Sequence, residues 1–231
     1  MEAVLAAIAM TPSAPVLIPE LAGAAAAEVA GFRDAAVAAA AALPQFWIAL
    51  GVGTTDAVIG PECRGTYAGY GVDVPVALSP EADSVVTALP LCALFAGWLR
   101  GRANPSAAVQ VRVYAAAHDA EAALGLGRAL RQEIDASDVP TGVLVVADGA
   151  TTLTPPAPGG YDPDSGPSQT ALDDALSAGD AEALAGLSDR ISGRVAYQVL
   201  AGLAEPGPSA AREFARGAPN GVGYYVGTWT P

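Results

Sequence analysis

Apolar residues along this chain fall into short unbroken runs separated by longer stretches with helical spacing. Residues 4–10 (VLAAIAM), 46–52 (FWIALGV) and 143–146 (VLVV) are apolar at nearly every position. Runs of that kind fit strands covered on both faces. Residues 109–114 (VQVRVY) alternate as a strand does, and 222–227 (VGYYVG) reads as a last strand. Residues 72–78 (VDVPVAL) are a candidate edge strand, because Pro75 cannot donate to a ladder. Between these runs the spacing predicts helices over 22–43, ended by Pro44, and over 84–99 despite Pro90. A further helix opens at His118-Asp119, with Leu124, Leu126, Leu130 and Ile134 as its apolar positions. Asp119 is its candidate N-cap, with Ala122 at the capping-box position. Three more helices are expected near 169–177, 181–187 and 191–203. Alternating strands and helices predict an α/β fold: a three-layer α/β/α sandwich around a largely parallel or mixed sheet. No linker-like tract divides the chain, so one domain over 1–231 is expected, with the loop at 155–167 as a feature inside it.

Composition narrows the partners. Hydrophobic residues make up 52% of 231, ample for a large core, with alanine the commonest of them. No unbroken apolar stretch reaches the roughly 18 residues that span a bilayer. The longest, 35–43 (AAVAAAAAL), reads as a packed helix. Glu2 and the lack of any Lys or Arg before Arg33 give the wrong charge for a signal peptide, so a soluble, cytoplasmic protein is expected. Net charge is −13, and every basic residue is arginine. Such a surface repels nucleic acid and anionic membranes. A GC-rich codon bias explains the Ala, Gly, Pro and Arg usage better than salt adaptation, given only 15% charged residues. Cys63 and Cys92 are isolated, fit no zinc or disulfide spacing, and read as small buried residues.

In α/β sheets ligands sit beyond the carboxyl ends of the strands. Three such rims can be named: Thr11-Pro12-Ser13, Gly51 to Asp56, and Asp148 to Thr151. Gly51-Val52-Gly53 lacks the third glycine of a dinucleotide fingerprint, since Asp56 stands there, and it reads as a tight turn. Asp162-Pro163-Asp164-Ser165-Gly166 lacks the further ligands of a calcium loop and reads as a turn. His118 is the only histidine, with no nucleophile pattern beside it, and there is no GxSxG. Spacing alone therefore yields an α/β domain with a strand-end cleft.

The segment GATTLTPPAPGGYDPDSG goes further. Leu153-Thr154-Pro155, Gly160-Tyr161-Asp162-Pro163 and Gly179-Asp180 follow a strand end in that order. Pro219, Gly221, Val222, Gly223 and Tyr224 close the chain, and Pro15, Val16, Pro19 and Glu20 stand near its start. On these residues the chain resembles the LigB-like class III extradiol ring-cleavage dioxygenases and their Memo-like relatives. The resemblance implies their α/β fold, and a dimer or a small companion chain as partner. It also implies Fe(II) held by two histidines and a carboxylate, with another histidine as acid/base. Carried over by position, the iron ligands fall on Ser13, near Gly53 and near Gly217, and the acid/base falls on Thr151. Only Asp148 of that strand end remains, and His118 lies outside every matched motif. Hydroxyls neither titrate near neutral pH nor hold ferrous iron well. The expectation is a dioxygenase-like chain without its metal or ring cleavage, keeping a cleft near Ser13, Gly53, Thr54, Asp148, Thr151, Tyr161 and Tyr224. The alternatives are an active dioxygenase with unusual site residues, a metal-independent reaction with Asp148 as base, and a protein whose role is interaction alone. Asp148 as a plain turn cap is the simplest reading of that residue.

Overall fold

The computed structural model describes residues 4–231. Four parallel strands form its centre: β1 (Leu5–Thr11), β2 (Phe46–Gly53), β6 (Ala108–Ala115) and β7 (Thr141–Val146). They lie in the order β6-β2-β7-β1, with Ala49 opposite Leu144 and Met10 opposite Val145. Three antiparallel strands complete the sheet. β3 (Ala57–Ile59) flanks β6, β9 (Tyr224–Thr230) flanks β1, and β8 (Ala210–Gly217) lies outside β9. The sheet is thus mixed, with seven strands. A separate hairpin pairs β4 (Arg64–Thr66) with β5 (Pro75–Ala77).

Successive side chains of each strand enter opposite cores, which is why the central runs are apolar throughout. Trp47, Ala49, Val111 and Leu144 face one layer, built from α2 (Ala30–Ala40), α3 (Leu91–Ala103) and the hairpin. Ile48, Leu50, Val143 and Val145 face the other. That layer holds α4 (Ala120–Asp135), α5 (Ser165–Ala178), α6 (Ala181–Ala185) and α7 (Arg194–Ala204). The result is the expected three-layer α/β sandwich. Among the described residues no helix is long and apolar enough to cross a membrane.

Several boundaries differ from the sequence expectation. The helix expected over 22–43 is broken: α1 (Pro19–Ala22) ends at Gly23, whose φ of 52° no helix accepts, and α2 begins only at Ala30. Alanine propensity is a weak force beside such a turn. Pro90 is the N-cap of α3 rather than an interior residue, so 84–90 are not helical. β8 went unforeseen because Arg212, Glu213 and Arg216 lie on an outer strand and a bulge at Phe214 disrupts its alternation. Asp119 caps α4 as expected, accepting the Ala122 amide at 2.8 Å. Cys92 is buried, and burial pushes its thiol up to about 11, whereas Cys63 is only half-buried.

Candidate functional site

The parallel strands β6, β2, β7 and β1 all deliver their carboxyl ends to one edge of the sheet. At the centre of that edge, β7 runs into Ala147-Asp148-Gly149. Asp148 does not cap its own turn. Its Oδ1 accepts the Ser13 amide at 2.9 Å, so the carboxylate ties the end of β7 to the end of β1. That is the single hydrogen bond to its side chain among the described residues, and Asp148 is half-buried. Desolvation pushes the carboxyl up to about 6, with the Ser13 amide opposing. Behind it, Tyr197 is buried and donates its hydroxyl to the Ala147 carbonyl at 2.8 Å. The Tyr224 hydroxyl is raised above its ordinary range, by burial first and by the charge of Asp148 second.

The backbone around Asp148 is held on both sides. Gly149 donates to Gly223 and Gly223 to Ala150, both at 2.8 Å, while Gly193 donates to the Asp148 carbonyl at 2.9 Å. Gln169 of α5 fills the slot this makes, accepting the Ala150 amide at 2.8 Å through Oε1. A Cβ on either Gly149 or Gly223 would lie 2.0 Å from that oxygen, so both positions must be glycine for Gln169 to fit. Gln169 in turn donates to Asp173 at 2.8 Å, and burial pushes that carboxyl to about 6 as well. Neither Gln169 nor Asp173 carried a motif, and only the fold brings them to this rim.

The loop that follows is ordered by its own contacts. Thr152 and Ser165 hydroxyls meet at 2.6 Å, and Arg190 binds Asp162 at 2.7 Å and Asp164 at 3.2 Å. These carboxylates hold an arginine, which agrees with reading the segment as a turn rather than a calcium loop. Thr151 sits half-buried at the start of the loop, with its carbonyl accepting Gly159 at 3.0 Å. Tyr161 is 58% exposed on the outer arc, away from Asp148's contacts.

Gly53 and Thr54 belong to a different part of the rim. β2 pairs with β6 to its end, Gly53 opposite Ala115, but pairs with β7 only as far as Leu50. There the His118 ring meets Asp56 through Nε2, at 2.8 and 2.9 Å from the two oxygens. Asp56 also accepts the Ala115 amide at 2.7 Å. That amide, and after it the His118 ring, hold the Asp56 carboxyl below its usual range. His118 thus sits on the strand-end edge, with β2 between its strand and that of Asp148, about 10 Å of sheet. Ser13, Asp148 and Tyr224 are brought together; Gly53 and Thr54 lie beside His118 instead.

The iron site implied by the resemblance does not fit these residues. Ser13 offers one neutral hydroxyl, and Gly53 and Gly217 offer no side chain. A Cβ at Gly53 would lie 2.6 Å from Val113 Cγ1, so a neighbour fills the space a ligand side chain would need there, and one at Gly217 would press on Phe32 Cζ at 3.1 Å. Among the described residues no three His, Cys, Asp or Glu side chains gather where a metal ion could be held.

No protein-family model and no curated protein matches this sequence. Among solved structures, the chain is similar to the uncharacterized protein JW3007 from Escherichia coli K12, with a TM-score of 0.57 and 10% identity. The match covers 97% of this chain and 99% of that one, and at this identity it speaks for the fold alone.

Proposed function

We propose that this chain is an extradiol dioxygenase-like protein that has lost Fe(II)-dependent ring cleavage and uses the rim around Asp148 to hold a small ligand. The observation that carries the reading is the content of that rim. Where the resemblance implies iron ligands and an acid/base histidine, the chain has Ser13, Gly53, Gly217 and Thr151, while Asp148 survives with one oxygen free of partners among the described residues. A ligand hydroxyl or amine near Tyr224 would give that oxygen a donor and offset its desolvation. In this reading the protein acts in the cytoplasm, where Cys63 and Cys92 stay reduced, and works as a dimer or with a small companion chain.

One observation favours a second reading, in which Asp148 moves a proton without metal. A carboxyl pushed to about 6 is mostly ionised at neutral pH yet holds a proton better than an ordinary aspartate, which suits a general base. Ser13 and Thr151 would be its polar neighbours, with Thr54 further along the rim.

The two readings share one test against the ancestral chemistry. Protein reconstituted anaerobically with Fe(II) is mixed with catechol or protocatechuate in an oxygen electrode, and ring-fission absorbance is followed in parallel. No enzyme-dependent oxygen uptake is expected. Uptake with a ring-fission product overturns the proposal. A phenolic compound panel screened by thermal shift then reports on the rim, and any stabilisation it reveals is expected to be lost in Asp148→Asn.

A further inference from the structure

Most arginines of this protein are paired with carboxylates, and two of the three exceptions share one groove. Of the 11 basic residues, all arginine, eight lie within 4.0 Å of a carboxylate among the described residues. The remaining three are Arg64, Arg100 and Arg212. Arg212 is stacked on Phe214, 4.7 Å from the ring centroid. Arg64 and Arg100 line one groove of 290 Å³ between β5 and the second half of α3. Arg102 lines it too, and its one carboxylate among the described residues, Glu20, stands 3.8 Å away, beyond hydrogen-bond range.

This clustering runs against the charge of the molecule. With 24 acidic residues and a net charge of −13, a solvated arginine has many carboxylates to choose from. Three arginines line this one groove instead, and Arg100 is only 8% exposed. Burial lowers the proton affinity of Arg100, which Glu81 partly offsets from a distance. Arg100 spends its Nε on the Ala77 carbonyl at 2.8 Å and one terminal nitrogen on Pro105 and Ala107 carbonyls, and Nη2 makes no hydrogen bond among the described residues. Arg64 makes no side-chain hydrogen bond among the described residues, and its buried Nε has no partner. The groove wall is cut back where a ligand would need room. A Cβ at Gly101 would meet nothing within 4 Å, whereas one at Gly97, a turn earlier, would press on the Ala77 carbonyl of β5 at 3.2 Å.

The groove lies far from the rim. The Val109 amide at the start of β6 donates to Leu78, just after β5, and α3 ends immediately before β6. It therefore faces the amino-terminal ends of the parallel strands, opposite the Asp148 edge. We propose that it is a binding site for a small multiply charged oxyanion, a phosphate or phosphomonoester group, held by Arg64, Arg100 and Arg102. Guanidinium forks match such oxygens in geometry, and a doubly charged group offsets the cluster better than one carboxylate does. The site is independent of the function proposed for the rim and would serve an effector or a phosphorylated ligand's anchoring group.

The test is calorimetric titration of the full chain with inorganic phosphate at low ionic strength. Saturable one-site binding is expected, weakened about tenfold or more by Arg64→Gln, which removes a charged donor. Arg100→Gln is the less useful variant, since Arg100 also closes the end of α3. Gly101→Leu replaces it: the side chain enters open space, so melting and far-UV circular dichroism are expected to hold while phosphate binding is lost. Arg212→Gln is expected to bind as the parent does. Absence of saturable binding at millimolar phosphate overturns the proposal. So does equal binding by the parent, Arg64→Gln and Gly101→Leu.

Discussion

Asp148 illustrates what a single residue can and cannot reveal in sequence. Its position at a strand end was readable from VLVVADG, but its partner, the Ser13 amide, is 135 residues away and only the pairing of β1 with β7 unites them. A carboxyl raised from 3.8 to about 6 binds its proton more tightly folded than unfolded. Its contribution to stability is therefore fully present below about pH 4 and is lost as pH rises through about 6. A shift of this size corresponds to about 3 kcal/mol at most. Asp148→Asn keeps an oxygen for Ser13 and sheds the buried charge. In urea denaturation it is expected to be more stable than the parent by roughly 1–3 kcal/mol at pH 8, with the gain vanishing near pH 4. Equal destabilisation at both pH values would instead mark Asp148 as a structural tie. Asp173 titrates in the same range in both proteins, so it cancels in the difference. His118 was harder to read, because its partner Asp56 lies 62 residues earlier and no spacing rule links them.

At the scale of elements, strands buried on both faces were legible because nothing interrupts their apolar runs. Ends and edges were not. Gly23 splits an alanine-rich helix by backbone conformation, and the charged edge strand β8 hides its period behind a bulge. The crossing of α4 and α7 was also invisible, though its cause is local. A Cβ at Gly127 would lie 2.1 Å from the Val199 carbonyl oxygen, and one at Gly202 2.1 Å from that of Leu124. Backbone meets backbone there, and no rotamer change can relieve the contact. Gly202→Ala gains about 1 kcal/mol of helix propensity. It is nevertheless expected to destabilise the protein by roughly 1–3 kcal/mol through forced separation of the helices. Denaturant midpoints measure this, and a stabilised variant would show that the crossing is looser than described.

The whole molecule separates two chemistries along the strand axis. One end carries Asp148, its Ser13 and Gln169 supports, and the His118–Asp56 pair. The other carries the arginine groove of Arg64, Arg100 and Arg102. The fold likeness to JW3007 spans nearly the full chain, so the sheet and its layers are a shared architecture. In the reading proposed above, Ser13, Gly53 and Thr151 stand where the resemblance implies imidazoles, and Gly217 where it implies a carboxylate. The central claim, that the rim no longer carries iron chemistry, is tested most directly by metal content. The protein is incubated anaerobically with Fe(II), desalted, and analysed by inorganic mass spectrometry together with Asp148→Asn. Iron at background in both proteins is the expected result. Near-stoichiometric iron in the parent, reduced in Asp148→Asn, would contradict the account and place a metal centre at this rim.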